Sequence, residues 1–187
     1  IAFLFAQKYH SAMRFVGPVR KQIGIRTVFN ILGPLTNPGK ADRMVLGVFS
    51  EEYVEKIAKA LVKIGVTDAM VVYGTDCLDE ISASAETKVA EVRGENITYY
   101  TVKPEDFGFE RVNKADLIGG TPEENAKITT AVLQGKGTKA QNTAVALNAD
   151  AGELGITLKD AVKKAENIIS SGEGYKILEG FVKVTNE

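Results

Sequence analysis

The sequence predicts an α/β fold built on a mixed, mainly parallel sheet flanked by helices. Three observations carry that expectation: a strand, helix, strand succession over residues 44–74, two alternating segments over 87–103 parted by a short turn, and a last third rich in helix-start signals.

In chain order, the opening run IAFLFA reads as a strand already under way that wants a sheet to join. No basic segment precedes it and no small-residue cleavage pattern follows it, so it is not read as a signal peptide. Because Ile1 is not an initiator Met, the chain is expected to come from inside something longer. In HSAMRFVGPVRKQIG, Met13, Val16 and Ile23 fall near helical spacing, with Gly17-Pro18 expected to interrupt or kink the helix. IRTVFNILGPLTNPGKADRM is dense in Asn, Gly and Pro and reads as a short apolar turn followed by a structured loop.

The apolar run 44–49 predicts a strand, and 51–64 a helix with Ser50 as N-cap, Glu51 and Glu52 at its positive end and Gly65 as its stop. Val54, Ile57, Leu61 and Ile64 form its apolar stripe. Residues 69–73 are a second buried-type strand, so 44–74 is a parallel βαβ crossover. Segments 87–93 and 96–103 alternate in polarity around Gly94-Glu95, at hairpin spacing. Thr121-Pro122-Glu123-Glu124 combines an N-cap, a first-turn Pro and a capping-box Glu. Further helices are expected from about 139 to 147, from 157 with Val162, Ala165, Ile168 and Ile169 inward, and over 175–182. No repeat, low-complexity tract or linker marks a domain boundary.

A chain of 187 residues can bury a core of its own. Its 23 Lys+Arg against 24 Asp+Glu argue against a nucleic-acid or membrane-surface role resting on bulk charge, though not against a local basic patch. No apolar run reaches the roughly 18 residues of a membrane span. One cysteine, Cys77, and one histidine, His10, can form neither an internal disulfide nor a Cys/His zinc site.

The sharpest local feature is VVYGTDCLDEIS, where a strand end is followed at once by Asp76, Asp79 and Glu80. Ligands of open parallel sheets bind outside the carboxyl ends of the strands, and Mg²⁺ takes hard oxygen donors, often only one or two carboxylates with water and phosphate completing its shell. On spacing alone the same carboxylates could equally solvate a turn. Arg14, Arg20, Lys21 and Arg26 form a basic cluster suited to a carboxylate or phosphate, or to a solvated helix face. His10 is the one histidine and reads as structural, and acidic neighbours disfavour a nucleophilic Cys77. Neither a P-loop nor GxGxxG is present.

Taken together, FLFAQKYHSAMRFVGPVRKQIGIRTVFNILGPLTNP, VVYGTDCLDEIS, PEDFG, GGTPEENA and QNTAVALNA closely resemble the anthranilate phosphoribosyltransferase family, in order and over the whole chain. The resemblance implies a nucleoside phosphorylase/phosphoribosyltransferase-like C-terminal domain, with residues 1–187 a segment of the catalytic α/β domain. The family's N-terminal helical domain, its glycine-rich diphosphate loop and the first strands of its sheet have no counterpart here. It further implies Mg²⁺-dependent transfer of the 5-phosphoribosyl group from phosphoribosyl diphosphate to anthranilate in tryptophan biosynthesis, in a cytoplasmic enzyme that is a homodimer at full length. Asp79 and Glu80 match the family's metal-binding pair, and Arg20 the arginine that grips the anthranilate carboxylate. His10, Met13 and Gly33 match positions along the acceptor's path, and no residue matches a catalytic acid or base. Two departures stand out: Ser11 where many members have Pro, and Cys77 where many have Gly, tolerable if its backbone angle is ordinary. A non-catalytic nucleic-acid-binding relative and a pyrimidine nucleoside phosphorylase remain alternatives. Charge balance and the Asp79-Glu80 pair speak against the first, and GPLTNP with LDEIS against the second.

Overall fold

The computed structural model describes residues 3–25, 27–149 and 157–187, except for the side chain of Gln7. Expectations for Ile1, Ala2 and Arg26 lie outside the described residues. The chain divides into two units, Ile1–Asp42 and Arg43–Glu187, although no compositional shift marks the division.

The first unit is helical. Phe3–Phe5 is not a strand: the Phe3 and Phe5 rings stack at 6.2 Å, and Ala6–Tyr9 forms a one-turn helix, α1. An apolar run becomes a strand only where a neighbour takes its backbone N–H and C=O groups, and none does so here among the described residues. Helix α2, Met13–Ile23, runs straight through Gly17-Pro18, and α3, Phe29–Leu35, occupies what reads as turn and loop, again with Gly33-Pro34 inside it. The physical reason is the same in both. A residue before proline is pushed out of the α region partly by a clash with its own Cβ, and glycine has none. Each proline then costs one helix hydrogen bond rather than the helix. Thr36 closes α3, its hydroxyl donating to the Leu32 and Gly33 carbonyls at 3.0 and 3.1 Å.

In the second unit β1, Arg43–Gly47, leads through α4, Glu52–Lys63, to β2, Asp68–Gly74, which lies parallel to β1. This is the expected βαβ unit, with two local differences. Ser50 makes no side-chain cap, since the N-cap position falls on Glu51 in helical geometry. Ile64, just past the helix, is 55% exposed, and Ala58 joins Val54, Ile57 and Leu61 on the buried stripe instead.

Strands β3, Thr87–Arg93, and β4, Asn96–Val102, form the expected hairpin, and the sheet order is β1-β2-β3-β4. The sheet is mixed as expected, but its parallel share is smaller: among the described residues β1–β2 is the one parallel pair, while β2–β3 and β3–β4 are antiparallel. A parallel return needs a crossover long enough to span the sheet, usually a helix, and the loop from 75 to 86 contains none.

Helices cover both faces. Helix α4 packs on β2 and β3. The alternate residues Met70, Val72, Val89 and Val102 pack into a core with Val132 of α5, Pro122–Leu133, Ala146 and Leu147 of α6, Lys139–Asn148, and Val162, Ala165 and Ile169 of α7, Leu158–Ser171. Ile168 stays outside, 40% exposed. Thr121 and Thr138 cap α5 and α6 through complete capping boxes, and Thr157 caps α7 by accepting from the Asp160 N–H. Gly172, at φ +71°, turns the chain into the final helix α8, Glu173–Thr185. No helix of the described residues is long and apolar enough to cross a membrane.

Candidate functional site

The residues singled out by sequence fall into separate units. His10, Met13, Arg20 and Gly33 belong to the first, Asp79 and Glu80 to the second. His10 ends α1, and its carbonyl accepts from the N–H of Met13, the first residue of α2. Arg20 stands seven residues on, two turns along the same face, with its guanidinium 5.9 Å from the centre of the Phe29 ring. Gly33 lies inside α3 with open space where a Cβ would be.

The acidic loop follows β2 directly and lies at the carboxyl ends of the two parallel strands. Its neck is closed by Thr75, whose N–H and hydroxyl both donate to the Glu86 carbonyl, at 2.8 and 3.1 Å. Inside the loop the three carboxylates part company. Asp76 turns inward: one oxygen accepts from the Ser82 hydroxyl at 2.9 Å and from the Ser84 hydroxyl, while Lys114 donates to its backbone carbonyl. Ser82 is buried and also accepts from the Ser84 and Ala85 N–H groups, while its own N–H donates to the buried Thr87 hydroxyl at 2.8 Å. Asp76 is therefore a structural anchor, and among the described residues no cluster of three metal-ligating side chains forms. The outward pair is Asp79-Glu80.

Both side chains of the pair are exposed, and neither forms an ion pair among the described residues. Even so, the protein walls around the Glu80 carboxyl, with the Asp79 charge adding to them, hold its pKa above the usual carboxylate range. One wall is an apolar cavity of about 540 Å³ between the loop and helices α5 and α6, with Leu78, Ile81 and Val132 in its lining. The pair is thus two adjacent, outward-facing carboxylates, hard oxygen donors whose like charges oppose one another.

A stability consequence has a definite sign. An acid whose folded pKa lies above its unfolded value costs stability once ionised. Glu80→Gln is expected to raise the melting temperature at pH 7, with the gain shrinking as pH falls through the raised pKa and gone below the unfolded carboxylate range. Melting curves at pH 7 and 3.5 test this, and an equal gain at both would refute it.

Two further residues shape the pair without any motif to announce them. Gly47, the last residue of β1, has the Asp79 carbonyl oxygen 1.5 Å from where a Cβ would stand, so only glycine admits this approach. Asn148, the last residue of α6, reaches the backbone of Ile81. A glycine inside the predicted strand 44–49, a position that often marks a close backbone approach, was the available signal for the first; nothing local marked the second. Cys77 sits at φ +68°, in the left-handed region, so the angle is not ordinary and a side chain there costs about 1–2 kcal/mol relative to a right-handed residue.

Fold and loop together define an α/β domain with an acidic loop where its parallel strands end. The chain belongs to the glycosyl transferase family: residues 1–175 match that family's a/b domain. It is 50% identical to anthranilate phosphoribosyltransferase from Methanobrevibacter smithii, with 100% of this chain and 56% of that protein aligned. The enzyme of the same name from Lacticaseibacillus casei is 46% identical over 95% of this chain and 53% of its own length. Among solved structures, anthranilate phosphoribosyltransferase from Thermus thermophilus matches with a TM-score of 0.91 at 43% identity, covering 100% of this chain and 56% of that one. The Saccharomyces cerevisiae enzyme in complex with PRPP and Mg matches with a TM-score of 0.81 at 30% identity, over 93% of this chain and 51% of that one. The chain spans about half the length of the curated relatives it matches.

Proposed function

We propose that the chain is the C-terminal α/β segment of an anthranilate phosphoribosyltransferase, which transfers the 5-phosphoribosyl group from phosphoribosyl diphosphate to the amine of anthranilate with the help of Mg²⁺. The observation that carries this reading is the outward Asp79-Glu80 pair at the carboxyl ends of β1 and β2, in a chain half identical to a protein of that name. In the reaction the amine nitrogen bonds to C1 of the ribose while the C1–O bond to diphosphate breaks. Diphosphate leaves with the electron pair, and the nitrogen gives up a proton to solvent.

Asp79 and Glu80 hold Mg²⁺ in this reading. The donor set fits: two exposed carboxylates, with water and diphosphate oxygens left to complete the shell. When bound, the ion neutralises charge developing on the leaving diphosphate. Arg20 offers a planar fork to the anthranilate carboxylate and has no acidic partner among the described residues to give up first. His10, Met13 and Gly33 line the acceptor's approach. The full-length protein is a cytoplasmic homodimer in this reading, and its near-neutral charge gives no support to a nucleic-acid role. Residues 1–187 alone are inactive, because they lack a glycine-rich diphosphate cradle.

Loss of anthranilate fluorescence on mixing the full-length protein with anthranilate, phosphoribosyl diphosphate and Mg²⁺ tests the reading. Phosphorolysis of thymidine without turnover of anthranilate would overturn it, and transfer by the isolated 187 residues would refute the cradle argument. In the full-length protein Arg20→Ala is expected to raise the KM for anthranilate about 10- to 100-fold, the value of one charge-assisted contact. The KM for phosphoribosyl diphosphate should stay nearly unchanged.

A further inference from the structure

We propose that Asn148 is the positioning residue for the Asp79-Glu80 pair, holding it from the end of α6. The inference rests on the reading that the pair binds Mg²⁺. The Asn148 amide is fully engaged: Oδ1 accepts from the Ile81 N–H at 2.8 Å, and Nδ2 donates to the Ile81 carbonyl at 3.0 Å and to the Ala144 carbonyl at 2.9 Å. The bond to the Ala144 carbonyl ties the side chain to its own helix, so the clamp on Ile81 is rigid. Ile81 itself is buried.

The Ile81 N–H belongs to the peptide plane that also contains the Glu80 carbonyl, so fixing it fixes the rotation of the chain just after Glu80. On the other side, the Asp79 carbonyl that closes on Gly47 belongs to the Asp79–Glu80 plane. Both peptide planes flanking Glu80 are therefore held, one by a close contact with β1 and the other by the Ile81 N–H bond to Asn148, whose second bond fixes the next plane at the Ile81 carbonyl. Asparagine suits the task because it presents a donor and an acceptor side by side at this length. Alanine offers neither, and aspartate keeps only the acceptor.

Mn²⁺ titration of the full-length protein, followed by electron paramagnetic resonance well below each variant's melting temperature, tests the proposal. Asn148→Ala is expected to weaken Mn²⁺ binding at least threefold. Asn142→Ala, a control on the same helix whose amide donates to the Gly137 carbonyl, is expected to lower the melting temperature and leave Mn²⁺ affinity alone. Equal affinity in wild type and Asn148→Ala, with Asp79→Asn/Glu80→Gln abolishing binding, would overturn the proposal and leave the metal reading standing. Unchanged binding in the double carboxylate variant would overturn both. Should Asn148→Ala fail to fold, Asn148→Leu, which keeps the bulk of the side chain and offers neither bond, replaces it: a threefold weakening supports the clamp and unchanged affinity overturns it.

Discussion

In the full-length protein, Asp79→Asn combined with Glu80→Gln is expected to lower kcat/KM for phosphoribosyl transfer by about 100- to 1000-fold, the scale on which removing a dedicated charge stabiliser acts. The substitution keeps the shape of both side chains and removes only their charge. Both are exposed and neither has an ion-pair partner among the described residues, so the fold has little to lose. The melting temperature should hold or rise, because the partial burial of the Glu80 carboxylate and its repulsion by Asp79, which together hold its pKa up, no longer act on a charged group. Steady-state rates across a Mg²⁺ titration, read beside a melting curve, separate lost chemistry from lost structure. Normal turnover in the double variant would sink the metal assignment.

Gly47→Ala is expected to have the largest effect on structure. The new methyl would meet the Asp79 carbonyl oxygen at 1.5 Å and its carbon at 2.3 Å, and both are backbone atoms that cannot rotate aside as a long side chain would. Overpacking of this kind costs about 1–3 kcal/mol. For a chain of this size that lowers the melting temperature by about 2–12 °C. Because the displaced atoms belong to Asp79, Mn²⁺ affinity should fall in the same variant. Unchanged melting would mean that β1 and the acidic loop are not in contact in solution.

Much of the second unit was legible in the residues themselves, because the signals were local. The apolar run of β1, the stripe of α4 and the apolar run of β2 specify the βαβ unit. Gly94-Glu95 between alternating segments specifies the hairpin, and Thr121 with Glu124 specifies the start of α5. The acidic loop was visible for the same reason, as three carboxylates just after a strand, but only the family resemblance separated Asp79-Glu80 from Asp76. In the first unit local rules misled. Gly17-Pro18 and Gly33-Pro34 read as breaks, yet a glycine before proline removes part of the clash that makes proline a breaker.

The sequence by itself determined the α/β class, the order of elements in the second unit and the place of the acidic loop after β2, since each is written in residues a few positions apart. Only the tertiary structure decided which carboxylates face outward and what holds them. Asp76 is drawn in by Ser82 and Ser84, Gly47 admits the Asp79 carbonyl, and Asn148 takes hold of Ile81 from 67 residues away. Contacts at such a separation leave no periodicity or spacing in the chain. They exist because packing helices on both faces of the sheet brings the end of α6 and the end of β1 to the same loop.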